Sequence, residues 1–319
     1  MRKKIVAGTA VSMGIIAILL SSLFVQVPSY AAYVRSLPTG NAEATFGSPP
    51  NPIPGIIITG KYIRIGVNRG GTFGVGQKDP GTGFQYPIGP QFESLAWAWW
   101  GEGYVIAYKT KDDAGKWVDH VAYWQPEHGW PPPGACNIVP VSQSLTRNDT
   151  NFGIVKTVVM TADKVLEITF EHQFQKHMKY VELKTMIRNN ASFPIRDLIY
   201  KRFVDWDIHQ VTPNDWSSDS HSAYASYFNR ENETRYVFTV AGSVVQAGNR
   251  YVSYVDLYGW DDQTTRDPFE TVQSPDTLIT SYDGAAMITF DLGPGNRNPG
   301  TSVTTFLNYQ ASETLYLLG

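Results

Sequence analysis

Residues 180–209 alternate one by one between apolar and polar, and this period of two constrains the fold more than any other feature of the chain. Val181, Leu183, Thr185 and Ile187 fall on one side, with Glu182, Lys184 and Arg188 on the other, the pattern of a half-buried strand. Asn189 to Ser192 break it. Leu198, Tyr200, Val204, Trp206 and Ile208 then share one face, and Lys201, Phe203, Asp205, Asp207 and His209 share the opposite one. A strand running through this segment projects Asp205 and Asp207 side by side, roughly 6.5 to 7 Å apart. The polar stretch that follows, with Asn214, Asp215, Trp216, Asp219 and His221, reads as a loop folding back over that face.

Residues 154–161 and 166–174 carry the same period and are separated by the turn Ala162-Asp163-Lys164. Together with the two later runs they predict four consecutive antiparallel strands in a meander. Shorter runs follow at residues 236–241, 251–258, 286–292 and 302–310, and the chain ends at Gly319 in a predicted edge strand. Hairpins with Gly-rich turns are expected over residues 56–75. No amphipathic helix pattern follows the leader. The predicted class is all-β: a large antiparallel β-sandwich, supersandwich-like, with an N-terminal signal helix.

Arg2, Lys3 and Lys4 precede an uncharged run over residues 5–27, and Ser29 and Ala31 place small residues at cleavage positions. The organisation expected is a signal peptide over 1–31, an extended arm rich in Pro, Gly and Ser over 32–54, and one β-sandwich domain over 55–319. Secretion or display at the cell surface follows from the leader. Its 23 uncharged residues also have the length to span a bilayer, so membrane contact is expected only through an uncleaved leader. The leader holds three of 26 basic residues and none of 29 acidic ones, leaving a balance of −6 that argues against a nucleic-acid partner. Cys136 is the only cysteine, which excludes an intramolecular disulfide.

Three readings of the polar and aromatic residues stay open. In the first, a structural, self-assembling or glycan-binding protein presents Trp97, Trp99, Trp206 and Trp216 as stacking faces and uses edge strands for assembly. In the second, Asp205 with Asp207, or Glu93 with Asp207, works as an acid-base pair on a carbohydrate. In the third, Asp205 and Asp207 with Asp215, Asp219 or Asn214 offer oxygen ligands to calcium, no cofactor other than that ion being expected. The plain alternative pairs Asp205 or Asp207 with Lys201 or Arg202 and leaves the other acids to turns. His120, on the face of Trp124, is expected to be hydrogen-bonded and structural.

The segment Asp197-Leu198-Ile199-Tyr200-Lys201-Arg202-Phe203-Val204-Asp205-Trp206-Asp207-Ile208 resembles a strand found in a group of exported and cell-surface β-sandwich proteins, in which a basic pair precedes Asp-Trp-Asp. The hairpin leading to Phe92-Glu93, and Phe290-Asp291-Leu292-Gly293 with Pro299-Gly300-Thr301-Ser302, are similar to that group's flanking blocks. The resemblance implies a supersandwich loosely like those of sugar epimerases and polysaccharide enzymes, with no established activity. Many of the group end in surface-sorting tails, and the lack of one here argues against covalent anchoring.

Overall fold

The computed structural model describes residues 54–76, 81–95, 101–124, 137–211, 213–219, 221–244, 252–259, 267–271 and 279–315. All of them belong to one compact unit, Asn41–Gly319. The predicted signal helix, the extended arm, Trp97, Trp99 and Cys136 lie outside the described residues.

The architecture is an all-β antiparallel sandwich of one nine-stranded and one five-stranded sheet, with a small three-stranded sheet packed on it. The nine-stranded sheet runs β15(Ile279–Tyr282), β11(Asn214–Ser218), β12(Ser222–Asn229), β13(Thr234–Val244), β17(Ser302–Leu315), β9(Tyr180–Asn189), β8(Leu166–Gln175), β7(Phe152–Thr161), β6(Ile138–Asn148). The period of two has its cause in this layer. Val155, Val159, Ile168, Phe170, Val181, Leu183, Phe238 and Leu307 point inward and are fully buried, while their neighbours face out. At β6 the sheet edge carries Pro140 and two register shifts, features that hinder pairing with a further strand.

The five-stranded sheet runs β14(Val252–Gly259), β16(Gly284–Asp291), β10(Arg196–Val204), β4(Glu102–Lys111), β5(Trp117–Trp124). β10 lies at its centre and is buried on both faces from Leu198 onward. Tyr104 of β4 meets Phe170 of β8 with ring centroids 5.1 Å apart, one of the contacts that join the two sheets. Gly242 of β13 is required at another, because a Cβ there would lie 2.6 Å from Ile288 of β16. The small sheet, β1(Gly55–Thr59), β2(Arg64–Asn68) and β3(Phe84–Gln85), sends Phe84 against Phe238 and Trp206.

Three expectations change here. The fourth strand of the predicted meander, β10, leaves the sheet of β7, β8 and β9 and pairs with β4 and β16. Residues 214–218, expected within a loop, form a strand, and residues 222–229, for which no strand was predicted, form another. Where an edge strand was expected at the chain end, the last described strand, β17, is interior, hydrogen-bonded to β13 on one side and β9 on the other, and residues 316–319 lie outside the described residues.

Candidate functional site

At one place the chain changes sheets twice. After β10, in the five-stranded sheet, residues 205–213 cross to β11 in the nine-stranded one. Asp283 is the single residue through which the chain returns, from β15 to β16. One oxygen each from Asp205, Asp207 and Asp283 lies within 4.8 Å of the other two.

The backbone holds the first crossing tightly. Strand geometry ends at Val204, yet the Asp205 N–H donates to the Gly101 carbonyl at 2.7 Å and Trp206 bridges Leu95. Asp207 then opens a short 3-10 turn, Ile208–Gln210, in which His209 and Gln210 both take left-handed conformations, φ 58° and 59°. Ser281, two residues before Asp283, is left-handed as well, at φ 53°. Non-glycine residues in that region are uncommon and hold strain that the surroundings must offset. Asn214 fastens the crossing from inside, its Nδ2 donating to the carbonyls of Trp206 at 2.9 Å and Val211 at 2.8 Å. Its backbone pairs with Tyr282, the residue before Asp283.

The cluster runs from core to solvent: Asp205 is 3% exposed, Asp207 half-buried and Asp283 exposed. Burial drives the Asp205 carboxyl well above the ordinary range, and the charges of Asp207 and Asp283 add to the effect. Asp207 is pushed up to about 7, by burial first and then by Asp283. Among the described residues no Lys, Arg or His forms an ion pair with any of the three. Asp205 Oδ1 and Asn214 Oδ1 are both buried without a hydrogen-bond partner.

No protein-family model matches the chain, and no curated protein does. Among solved structures, a bacterial glucoamylase complexed with acarbose is similar over 84% of this chain and 33% of its own, at 8% identity and a TM-score of 0.46. This chain therefore spans about a third of the glucoamylase, whose share covered is 33%. A putative aldose 1-epimerase from Escherichia coli K12 is similar over 82% of this chain and 99% of its own, at 7% identity and a TM-score of 0.35. A protein from Synechocystis sp. PCC 6803 is similar over 82% and 97%, at 10% identity and a TM-score of 0.40. The chemistry of the site rests on its own residues.

Several residues singled out by sequence take other places. Glu93 is buried and accepts hydrogen bonds from the backbone N–H groups of Phe84 at 2.8 Å, Gly83 at 3.0 Å and Leu95 at 3.3 Å, so it fixes a loop and is not free for acid-base work. Trp206 and Trp216 are core side chains, fully buried, and offer no face to a ligand. Trp206 is enclosed by Phe84, Phe238 and Tyr309.

Asp215 points to the outer side of β11, 3.2 Å from Arg235, and accepts the Ser281 N–H. Asp219 caps a turn, accepting from the N–H groups of His221 and Ser222 and from the Tyr224 hydroxyl. Neither joins the cluster. His209, expected beside the acids, is swung away by its left-handed backbone: Nε2 lies 2.9 Å from the Tyr86 carbonyl and the ring packs on Tyr236. Burial lowers its pKa to about 4.

The basic pair does not neutralise the acids. Lys201 Nζ donates to the Asp267 carbonyl at 2.7 Å, and Arg202 pairs with Glu102 at 2.8 Å. His120 is hydrogen-bonded as expected, Nε2 lying 2.7 Å from Thr110 Oγ1. Asp283, the residue that completes the cluster, was not among the sequence candidates. In sequence it is simply the first member of an Asp-Gly turn.

Proposed function

We propose that the protein is an exported or cell-surface β-sandwich that binds a neutral polysaccharide at Asp205, Asp207 and Asp283. The observation that carries this reading is a group of hydrogen-bond acceptors reaching from core to solvent with no cationic side chain paired to it among the described residues. Such a surface offers no cationic side chain to phosphates, nucleic acids or acidic glycans. It accepts hydrogen bonds from sugar hydroxyls, each charge-assisted bond being worth about 1.5–3 kcal/mol. Export, read from the leader, brings the protein where polysaccharides are. Assembly through the β6 edge is disfavoured by Pro140 and the two register shifts there.

Isothermal titration of the full-length protein against neutral and anionic polysaccharides tests the reading. Binding to a neutral polymer, weakened about tenfold by Asp283→Asn, is the expected result. Failure of every neutral polymer to bind, or equal binding by the variant, refutes it.

Asp207, with its pKa near 7, supports a second reading in which the site moves protons on a sugar. Reducing-end release and anomer interconversion, measured for wild type and Asp207→Asn, separate the two readings. No turnover, or turnover unchanged in the variant, removes the catalytic one.

A further inference from the structure

We propose that Asp205, Asp207 and Asp283 form a calcium site that clips the two sheet-crossing segments together. The proposal does not rest on the glycan reading; with the ion bound, sugar hydroxyls meet the outward positions of its shell and not the bare carboxylates.

Acidic side chains gather on many protein surfaces without binding anything, so the cluster by itself is insufficient. What distinguishes this one is its inner end. Asp205 is buried, and its Oδ1 has no donor to accept from. Asn214, on the strand that the crossing enters, is a second buried residue whose Oδ1 is unpartnered, its Nδ2 donating to Trp206 and Val211. A buried carboxyl oxygen left without a partner is costly in a folded protein. A cation removes that penalty, and a hydrogen-bond donor is what the surroundings fail to supply.

The identity of the cation follows from the ligands. All are hard oxygens, which excludes a soft-metal site built on Cys or His. His209 is held by the Tyr86 carbonyl, outside the set. The three acids come from irregular backbone on two separate crossings and differ in depth. Calcium takes six to eight oxygens in a flexible shell and tolerates such an arrangement. Magnesium demands a near-ideal octahedron. With Asp283 exposed, the outer positions of the shell face solvent and take water or a ligand hydroxyl.

Position gives the site a mechanical role. Asp205 and Asp207 sit on the passage from β10 to β11, and Asp283 on the passage from β15 to β16. β15 is a four-residue strand that, among the described residues, lies at the sheet edge and pairs with β11 alone, at a register shift. A cation shared by both passages holds this edge against the five-stranded sheet.

The test uses full-length protein stripped with a chelator and titrated with calcium chloride alone, read by calorimetry and thermal melting. One calcium per chain is expected, with a rise in Tm of roughly 5 °C at saturating calcium, and magnesium markedly weaker. Asp283→Asn, an exposed change that the fold tolerates, should reduce calcium affinity at least tenfold. In chelator the same variant should melt at or slightly above the wild type, because one repelling charge is gone. Asp215→Asn, outside the cluster, should respond to calcium as wild type does. Absence of a calcium response, or an Asp283→Asn response equal to wild type, overturns the proposal whatever the polysaccharide titration gives.

Discussion

Arg202 and Asp205 stand three residues apart on one chain segment, both buried, and they are treated in opposite ways. Arg202 Nε donates to Glu102 at 2.8 Å and to the Tyr309 hydroxyl at 3.1 Å, Nη1 to the Tyr200 hydroxyl, and Nη2 to the Gly71 carbonyl at 2.8 Å. Glu102 in turn accepts from Tyr309 and from the Phe73 N–H. This network joins both sheets and the small sheet's turn, and each charge in it is answered. Asp205 has two like charges beside it and an oxygen with no partner. A buried charge that the fold answers belongs to the fold. Asp205, whose carboxyl is raised by burial and by its two acidic neighbours, finds no donor for Oδ1 among the described residues, and this difference directs the functional proposals to Asp205.

The most damaging way to probe the answered side is Arg202→Leu, which strands Glu102 in the core. A loss of about 3–5 kcal/mol in urea unfolding is expected. Replacing both partners, Arg202→Met with Glu102→Leu, should recover most of that loss, because no buried charge then remains. If the double variant is as unstable as the single one, the network matters for its shape and not for the balance of its charges.

His172 offers a second unanswered group, this time with no route to solvent. It is fully buried on the inner face of β8 and neither ring nitrogen has a partner. Burial first, and then the charge of Arg202, holds its pKa well below the ordinary value. The sign follows directly: the unfolded chain binds a proton near pH 6.5 and the folded chain does not. Stability from this residue is complete above about pH 6.5 and is lost as the pH falls further. His209, lowered to about 4, acts in the same direction. His172→Leu should raise stability at neutral pH by about 1–2 kcal/mol, since an unpaired polar group is exchanged for an apolar one. It should also flatten the fall in stability between about pH 6.5 and 4.5. Unfolding curves at several pH values check both; an unchanged pH slope means that the imidazole is protonated or paired in the folded protein.

The strand pattern was legible where one face of a sheet is buried and the other wet. β7 and β9 alternate in burial residue by residue, and β8 does so except at Thr169, which is buried between Ile168 and Phe170. It failed to show where β10 would go, because a strand covered on both faces carries no asymmetry to name its sheet. The strands at residues 214–229 were hidden by their Ser, Asn and Asp content, which reads as turn while Trp216, Ala223 and Ala225 carry the burial. Asp205 and Asp207 were found by spacing alone. Asp283 lies far along the chain and meets them only because two strands pair, information that no local pattern contains. The same limit explains Glu93, Trp206 and Trp216, whose residue types suit a ligand site equally well as a core.

Within the cluster, Asp205→Asn should stabilise the chelated protein by about 1 kcal/mol, since it relieves the burial and like-charge cost that raises the Asp205 carboxyl. In saturating calcium the order should reverse, because the variant forfeits a ligand. Wild type and variant melted side by side, with and without the ion, check this crossing; curves that never cross leave Asp205 outside the cation's shell.

The smallest effect is expected at Asp215, and it marks the lower end of the comparison. Its carboxylate is about one-third exposed, faces Arg235 at 3.2 Å and accepts the Ser281 N–H at 3.1 Å. An ion pair this open to solvent contributes about 0–1 kcal/mol. Asp215→Asn keeps an oxygen for the Ser281 N–H and gives up only the pairing, so a change within about 0.5 kcal/mol is expected by urea unfolding. Three acids in one stretch, Asp205, Asp207 and Asp215, would then differ in effect according to burial and partners and not by residue type. A loss above about 1 kcal/mol at Asp215 would mean that the short edge strand β15 depends on this pair, and that the clip between the sheets extends beyond the carboxylate cluster.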